Sequence, residues 1–354
     1  MRSIVEELTI GTYELLAHRE PGAYVDLEDH LGGRATEADL AARDWMANQA
    51  KLLRPQAIFV SEDSNRPAET PYPDPSEPAE VFLADPLDGS RQFGQLGFGY
   101  ATCVSYHTYW PGEWWQPAAA AITASSKTAS WDARDGLLVG VGGNTDDSID
   151  LRQYTTRARV RIPPCIAVGA SSASGIPLLP DLMRVRDPEV ALDATAEDPY
   201  LRVWNTAGNP ITPGLLRSHT MVAVQLQWST QWDTLFAFFA SASGMNVYPL
   251  TRGPWGTQQP IDDDGPVSVD WHERRLLWGR PRWAPFERKC IPPIVVGPDE
   301  PFTREVYEIV RSSECAQIER PAESGEEQSL FDAAMQRDNE DLLAAVHNRL
   351  VPWE

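Results

Sequence analysis

Ala84-Asp85-Pro86-Leu87-Asp88-Gly89-Ser90 continues the apolar run Val81-Phe82-Leu83, a pattern typical of a chain that is leaving a buried strand. Pro86 fixes its own φ and has no N–H to donate, so we expect the strand to end before it. Gly89 would let the backbone approach a ligand closely. Ser90 is a good N-cap residue, which predicts a helix directly after the turn.

The two carboxylates of this turn, Asp85 and Asp88, point to a particular chemistry. Carboxylate oxygens suit a hard divalent cation, and the free N–H groups at a helix start suit an anion. Together they predict Mg²⁺-dependent chemistry on a phosphate ester. The same pair is also typical of an Asx turn combined with helix capping, and this alternative stays open for the turn taken alone.

Asp85-Pro-Leu-Asp-Gly-Ser90 resembles the DP(I/L)DG(T/S) signature of the inositol monophosphatase-like phosphatases. That family is Mg²⁺-dependent and often lithium-sensitive, and it includes bisphosphate nucleotidases and fructose bisphosphatases. Three further marks appear in the family's order: Thr36-Glu37-Ala38-Asp39, Ser61-Glu62-Asp63 and Trp232-Asp233-Thr234. The resemblance extends over about residues 1 to 310.

The resemblance implies an α+β fold, a layered α/β/α/β/α sandwich with two subdomains. Residues 1–145 would form the metal-binding subdomain, and residues 146–310 a second one with the Trp-Asp motif and a substrate-specificity insertion at 186–206. Residues 311–354 would add an acidic extension with a helix over Leu330–Leu350.

Local patterns predict the elements that carry these marks. Apolar periodicity favours a helix over residues 3–18 and a second one over Glu37–Leu53, capped by Thr36. The main predicted strands are Ala57–Val60, Tyr100–Tyr109, Ala118–Ser125, Cys165–Ala170, Val222–Trp228 and Ile294–Val296. Helices are also predicted over Ser174–Val185, over Leu235–Ala242 with Gly244 as its C′ glycine, and over Phe302–Arg311.

The resemblance assigns roles to individual residues. It implies two or three Mg²⁺ ions held by the side chains of Glu62, Asp85, Asp88 and Asp233 and by the carbonyl of Leu87. The residues implied as catalytic are Asp39, Glu62 and Ser90, of which Ser90 and Asp39 would position and deprotonate the attacking water. Gly89 and Ser90 would contact the phosphate. From the residues alone, Asp39 also fits an ordinary acidic first helical turn, and Asp233 fits an N-terminal helix cap.

The sequence departs from the family where the substrate would be recognised. Inositol phosphatases carry a sugar-contacting carboxylate seven residues before the Trp-Asp aspartate, where this chain has Leu226, which counts against myo-inositol 1-phosphate. Ala207-Gly208-Asn209 resembles the Ala-Gly-Asn of bisphosphate nucleotidases, although Pro210 replaces their lysine. We therefore predict that Ala207, Gly208 and Asn209 contact the substrate.

Composition narrows the class of protein. With 354 residues, 42% of them hydrophobic, the chain is long enough for a substantial core. A net charge of −21 argues against nucleic-acid binding. Four scattered cysteines predict neither a disulfide framework nor a zinc site and favour a reducing cytosol. No signal peptide or long apolar segment is evident, so we expect a cytoplasmic protein that does not enter a membrane. We also predict a homodimer.

The sequence thus predicts a Mg²⁺-dependent phosphatase that hydrolyses a small sugar, polyol or nucleotide phosphate with a metal-activated water. Two alternatives remain at this point. One is a 3'(2'),5'-bisphosphate nucleotidase. The other is a non-catalytic family member that binds a phosphorylated ligand or a partner protein.

Overall fold

A computed structural model describes residues 1–20, 24–25, 35–63, 77–97, 99–111, 115–141, 149–150, 165–169, 182, 202–205, 208–217, 221–250, 291–298 and 300–313. Several predictions lie outside these ranges, among them most of the helix at Ser174–Val185 and all of the C-terminal extension beyond residue 313. Ala207 also lies outside them.

A seven-stranded sheet occupies the N-terminal half of the chain, with strand order β3-β4-β5-β6-β7-β8-β9. Its strands are β3 (Ile58–Ser61), β4 (Ala79–Asp88), β5 (Ala101–Tyr109), β6 (Gln116–Ala124), β7 (Lys127–Asp132), β8 (Gly136–Val141) and β9 (Ile149–Asp150). β3 and β4 are parallel, and every later neighbour in the sheet is antiparallel. A separate pair of two-residue strands, β1 (Tyr24–Val25) and β2 (Ala35–Thr36), precedes this sheet in the chain.

Two amphipathic helices cover one face of this sheet, α1 (Arg2–Ala17) and α2 (Glu37–Leu53). Their apolar stripes, which include Leu8 and Met46, pack on alternate residues of β4, β5 and β6 such as Phe82 and Tyr106. Thr36 and Asp39 form a reciprocal capping box at the start of α2, as Thr36 was expected to cap it. Both helices begin and end within one residue of their predicted bounds.

A second, five-stranded sheet has the order β11-β10-β12-β14-β13. Its strands are β10 (Cys165–Gly169), β11 (Arg202–Asn205), β12 (Met221–Gln225), β13 (Asn246–Pro249) and β14 (Ile294–Gly297). The prediction of an irregular insertion over residues 186–206 is wrong at its end, because β11 pairs in parallel with β10 there. β12 is also shorter than predicted, because it ends at Gln225. The next residue, Leu226, is fully buried.

Two helices fill the space between the sheets, α4 (Thr212–Arg217) and α5 (Leu235–Ala242). The side chains of α5 are nearly all buried, and they pack on the inner faces of both sheets, for example on Ile122 and on Val247. Gly244 follows α5 with φ +81, the left-handed C′ conformation predicted for it. The last helix, α6 (Glu300–Ser312), covers the outer face of the second sheet. The observed layers are therefore helix, sheet, helix, sheet, helix, which confirms the predicted α+β sandwich.

In the part of the chain that the structure describes, no helix is both long enough and apolar enough to cross a membrane.

Candidate functional site

β4 does not end before Pro86 as predicted but runs through the motif to Asp88. Asp85 pairs with Cys103 and Asp88 pairs with Ala101, so Pro86 and Leu87 together face one residue of β5, Thr102. This is a β-bulge, one of the few places inside a sheet where a proline without an N–H is tolerated.

The bulge determines where the two aspartates point. Side chains alternate along a regular strand, so residues three positions apart would lie on opposite faces. The extra residue of the bulge brings Asp88 back to the face of Asp85, and Cys103 and Ala101 lie on that face too. Since Cys103 and Ala101 belong to the core around α4 and α5, the aspartates face the middle helical layer.

Gly89, and not Ser90 as predicted, is the N-cap residue of the helix that follows the motif. Gly89 is the residue before the short helix α3 (Ser90–Leu96), and its φ of +90 is one that glycine adopts readily. A Cβ at Gly89 would come within 3.0 Å of the Gly99 carbonyl oxygen, so this turn is crowded as well. Ser90 is therefore the first residue of the helix and not its N-cap.

The end of β3 places Glu62 beside the aspartates. Ser61 pairs with Ala84, and the Glu62 N–H donates to the Ala84 carbonyl over 3.1 Å, so Glu62 lies next to Asp85 across the sheet. Arg43 of α2 donates from Nη1 to the Asp63 carbonyl over 2.8 Å and thereby ties down the chain after Glu62.

Asp233 reaches the same place from the second half of the chain. It lies in a 3₁₀ turn, η2 (Trp232–Thr234), directly before α5. Its Oδ2 accepts from the Thr230 N–H over 3.3 Å, and its own N–H donates to Thr230 Oγ1 over 3.4 Å. The neighbouring Trp232 is buried and packs in one cluster with Trp115 and Leu83.

These segments form two groups of atoms that could hold a metal ion, and both groups include Asp85. Carboxylate oxygens of Glu62, Asp85 and Asp233 all lie within 4.8 Å of one another. Ligand atoms of Asp85, Asp88 and Cys103 lie within the same distance of one another. We call these four carboxylates, Glu62, Asp85, Asp88 and Asp233, the acidic cluster.

Burial and mutual repulsion raise the pKa values of Glu62, Asp85 and Asp88. Loss of hydration is the larger cause for Glu62 and Asp85, and the charges of the neighbouring carboxylates raise both pKa values further, to well above their usual range. The pKa of Asp88 rises to about 7 for the same two reasons, although hydrogen bonds from Asn209 and Gly89 oppose the shift. Carboxylates this close repel one another unless a proton or a cation lies between them.

Asp39 and Ser90 form a hydrogen-bonded pair beside the cluster. Ser90 Oγ donates to Asp39 Oδ1 over 2.7 Å, and it also lies 3.0 Å from the Leu87 carbonyl oxygen. Asp39 Oδ2 accepts from the N–H and the hydroxyl of Thr36. Asp39 thus acts as a capping residue with one oxygen and binds Ser90 with the other. Burial, followed by the charge of Asp63, raises the pKa of Asp39.

Gly208 and Asn209, two of the predicted substrate contacts, lie against this site, but Asn209 is fully buried. Its side chain bonds to protein groups of β5, η2 and α5 instead of facing a ligand. Asn209 is therefore bonded inside the protein, and contact of this segment with substrate stays a prediction. Leu226, which replaces the family's sugar-contacting carboxylate, is likewise fully buried.

Two neighbours of the acidic cluster were not predicted from the sequence. They are Cys103 and Asn209, whose N–H donates to Asp88. Cys103 Sγ lies 3.4 Å from the Asp85 carbonyl oxygen and 3.2 Å from Asn209 Nδ2, and burial raises the pKa of its thiol. The spacing of the cysteines carries no signal for this position. Only the pairing register of β5 with β4 reveals it.

Comparison with solved structures identifies the fold. The extragenic suppressor protein SuhB from Bartonella henselae matches with a TM-score of 0.54 at 15% identity, covering 88% of this chain and 98% of that chain. An IMPase from Thermotoga maritima matches with a TM-score of 0.50 at 12% identity, covering 87% of this chain and 96% of that chain. The predicted inositol monophosphatase-type fold is thus confirmed. No family model matches the sequence. Nor does any curated protein.

Proposed function

We propose that this protein is a Mg²⁺-dependent phosphatase that hydrolyses a small phosphate monoester. One observation carries the proposal: the ends of three distant segments bring the oxygens of Glu62, Asp85 and Asp233 within 4.8 Å of one another. The Asp39–Ser90 pair lies beside this group, since Ser90 Oγ is 3.0 Å from the carbonyl oxygen of Leu87, which lies between the two aspartates of β4.

The donor set fits a hard divalent cation. Mg²⁺ takes oxygen ligands and is commonly shared between protein carboxylates and substrate phosphate. A cation among these carboxylates would also offset the repulsion that raises the pKa values of Glu62 and Asp85. We assign Glu62, Asp85, Asp88 and Asp233 as the side-chain ligands, with the Leu87 carbonyl as a further one, for two or three ions.

The chain's own groups then have distinct tasks. Mg²⁺ bound by these oxygens would supply positive charge against the substrate phosphate and the leaving alcohol. Ser90 Oγ can accept a proton from the attacking water when its own proton passes to Asp39 Oδ1, 2.7 Å away. The raised pKa of Asp39 favours this transfer, because a more basic carboxylate holds the proton better. Gly89 and the Ser90 N–H are assigned to the phosphate.

The alcohol part of the substrate is proposed more broadly, as a sugar, polyol or nucleotide. A buried Leu226 offers no carboxylate to an inositol ring, which favours an alcohol other than myo-inositol. A 3'(2'),5'-bisphosphate nucleotidase is one specific form of this proposal.

The test is phosphate release from a panel of sugar, inositol and nucleotide phosphates, including adenosine 3',5'-bisphosphate, with Mg²⁺ and with EDTA. We expect release that needs Mg²⁺ and that falls at least about 100-fold in Asp85→Asn, because even partners of metal ligands contribute about 10–100-fold. Asp135→Asn is the matched control, since it removes the same charge from a side chain that is 61% exposed in the β7–β8 turn.

The remaining outcomes separate the alternatives. Folded protein that binds Mg²⁺ but releases phosphate from no substrate would overturn the phosphatase proposal in favour of a binding role. Release that persists in EDTA, or that Asp85→Asn leaves unchanged, would overturn the assignment of the acidic cluster.

A further inference from the structure

Asn209 connects the two halves of the acidic cluster, the aspartates of β4 and Asp233 of η2. It begins the 3₁₀ turn η1 (Asn209–Ile211), and its backbone N–H donates to Asp88 Oδ2 over 3.0 Å. Its side chain bonds to the other half of the site: Nδ2 donates to the Trp232 carbonyl over 2.6 Å, and Oδ1 accepts from the Phe236 N–H over 3.0 Å. One residue is therefore bonded to Asp88 of β4 and to the backbone before and after Asp233.

The side chain of Asn209 bonds to the backbone on both sides of Asp233, at Trp232 and at Phe236. The Trp232 carbonyl belongs to the peptide that joins Trp232 to Asp233, so its direction fixes the start of the Asp233 backbone. The Phe236 N–H lies in the first turn of α5, where backbone donors have no partner within the helix. Thr234, at the N-cap position of α5, makes no side-chain capping bond. Asn209 Oδ1 therefore serves as the cap from 27 residues away.

Close packing adds to these bonds. A Cβ at the preceding Gly208 would come within 2.9 Å of the Asp233 carbonyl oxygen and 3.1 Å of the Phe236 ring. The Asn209 side chain is fully buried, so water cannot replace its bonds when they are lost. The contact between η1 and the Asp233 turn thus leaves little freedom to either segment.

We propose that Asn209 is a positioning residue that fixes the separation of Asp88 and Asp233 and thereby sets the affinity of the acidic cluster for divalent cations. This inference rests on the proposed function, because it takes the cluster to be the metal site. Asn209 belongs to neither group of candidate metal ligands, so in this proposal it acts through Asp88 and the backbone around Asp233.

The experiment compares wild type with Asn209→Leu, which keeps a similar volume but removes the side-chain donor and acceptor. Mg²⁺ binding is measured by isothermal titration calorimetry on the chelator-treated, full-length protein, with Mg²⁺ as the only ligand. We expect Asn209→Leu to weaken Mg²⁺ affinity about 10–100-fold, the usual effect of losing a residue that orients metal ligands. In phosphate release, the Mg²⁺ concentration for half-maximal activity should rise by the same factor, while kcat at saturating Mg²⁺ falls less.

Leu8→Ala is the stability control, because Leu8 is fully buried where α1 packs on the face of the first sheet opposite to the acidic cluster. Leu8→Ala should lower the melting temperature and leave Mg²⁺ affinity unchanged. If Asn209 had only a structural role, Asn209→Leu would give the same result. Should Asn209→Leu fail to fold, Asn209→Ser provides the smaller perturbation and should weaken Mg²⁺ affinity in the same direction.

The outcomes distinguish this inference from the function on which it rests. Wild type that binds Mg²⁺ and releases phosphate, with folded Asn209 variants of unchanged Mg²⁺ affinity, would overturn the positioning role alone. Wild type that binds no Mg²⁺ would overturn the proposed function and this inference together.

Discussion

The two halves of the acidic cluster are placed in different ways. Asp85 and Asp88 are placed by their own strand, because a bulge within β4 turns both to one face. Asp233 is placed by η2, whose flanks are held by Asn209, a residue 23 positions before Trp232. The first placement is local and can be traced in a short motif. The second exists only once the two sheets have packed on the middle helices.

The strongest test of this comparison is a double-mutant cycle between the halves, with Asp85→Asn and Asp233→Asn. Each change should lower phosphate release and Mg²⁺ affinity by at least about 100-fold, as removal of a metal ligand exceeds the effect of removing its partner. Because the two carboxylates belong to one group within 4.8 Å, the double variant should lose little more than either single one. Losses that add in free energy would mean two independent sites.

The local half explains why so much could be predicted from the sequence. Thr36, Asp39 and Glu62 lie in short segments whose helix cap and strand end are specified by their neighbours. Thr36 caps α2 as predicted, and Gly244 follows α5 in the left-handed conformation predicted for it. Signals of this kind need only a few consecutive residues.

The second largest effect is expected at the Asp39–Ser90 pair, which lies beside the local half. Asp39→Asn and Ser90→Ala should each lower kcat about 10²–10⁴-fold, the usual contribution of general acid–base groups. Neither residue belongs to the two groups of metal-ligating atoms, so Mg²⁺ affinity measured by calorimetry should not change. A parallel loss of Mg²⁺ affinity would show that the pair supports the metal site and not proton transfer.

Predictions failed where contacts between different segments of the chain override the preferences of single residues. Pro86 should end a strand, but the bulge accommodates it because two residues share one partner, Thr102. Ser90 should cap α3, but its hydroxyl bonds to Asp39, 51 positions earlier, and Gly89 takes the preceding position. The bonds of Asn209 to η2 and β5 were not predicted either, because they depend on packing that no local pattern encodes.

The distant half can be disturbed by crowding alone. Gly208 has φ −60, which any residue can adopt, so Gly208→Ala tests only the 2.9 Å approach to the Asp233 carbonyl oxygen. We expect a cost of about 1–3 kcal/mol in the free energy of unfolding, as for other overpacked sites. Mg²⁺ affinity should weaken as well, because the Asp233 turn must move.

Gly214→Ala is the matched control for Gly208→Ala. Gly214 is exposed in α4, and a Cβ there would meet Met221 Sδ at 3.6 Å, an ordinary contact. The change should stabilise the helix by up to about 1 kcal/mol and leave Mg²⁺ affinity as it is. Thermal melts and calorimetry of the two variants, side by side, check both statements. Equal Mg²⁺ affinity in both variants would contradict the placement of Asp233 by close packing.

The smallest effect is expected at Thr36, where the local half can be weakened without moving a carboxylate of the cluster. Thr36→Ala removes the hydroxyl from the α2 capping box and should cost about 1 kcal/mol in the free energy of unfolding. Asp39 would keep the bonds from the Thr36 N–H and from Ser90, so it should remain in place. Denaturant unfolding should therefore register the change while Mg²⁺ affinity does not. A loss of Mg²⁺ affinity would mean that the start of α2 helps to hold the cluster together, and that the local half depends on distant contacts as well.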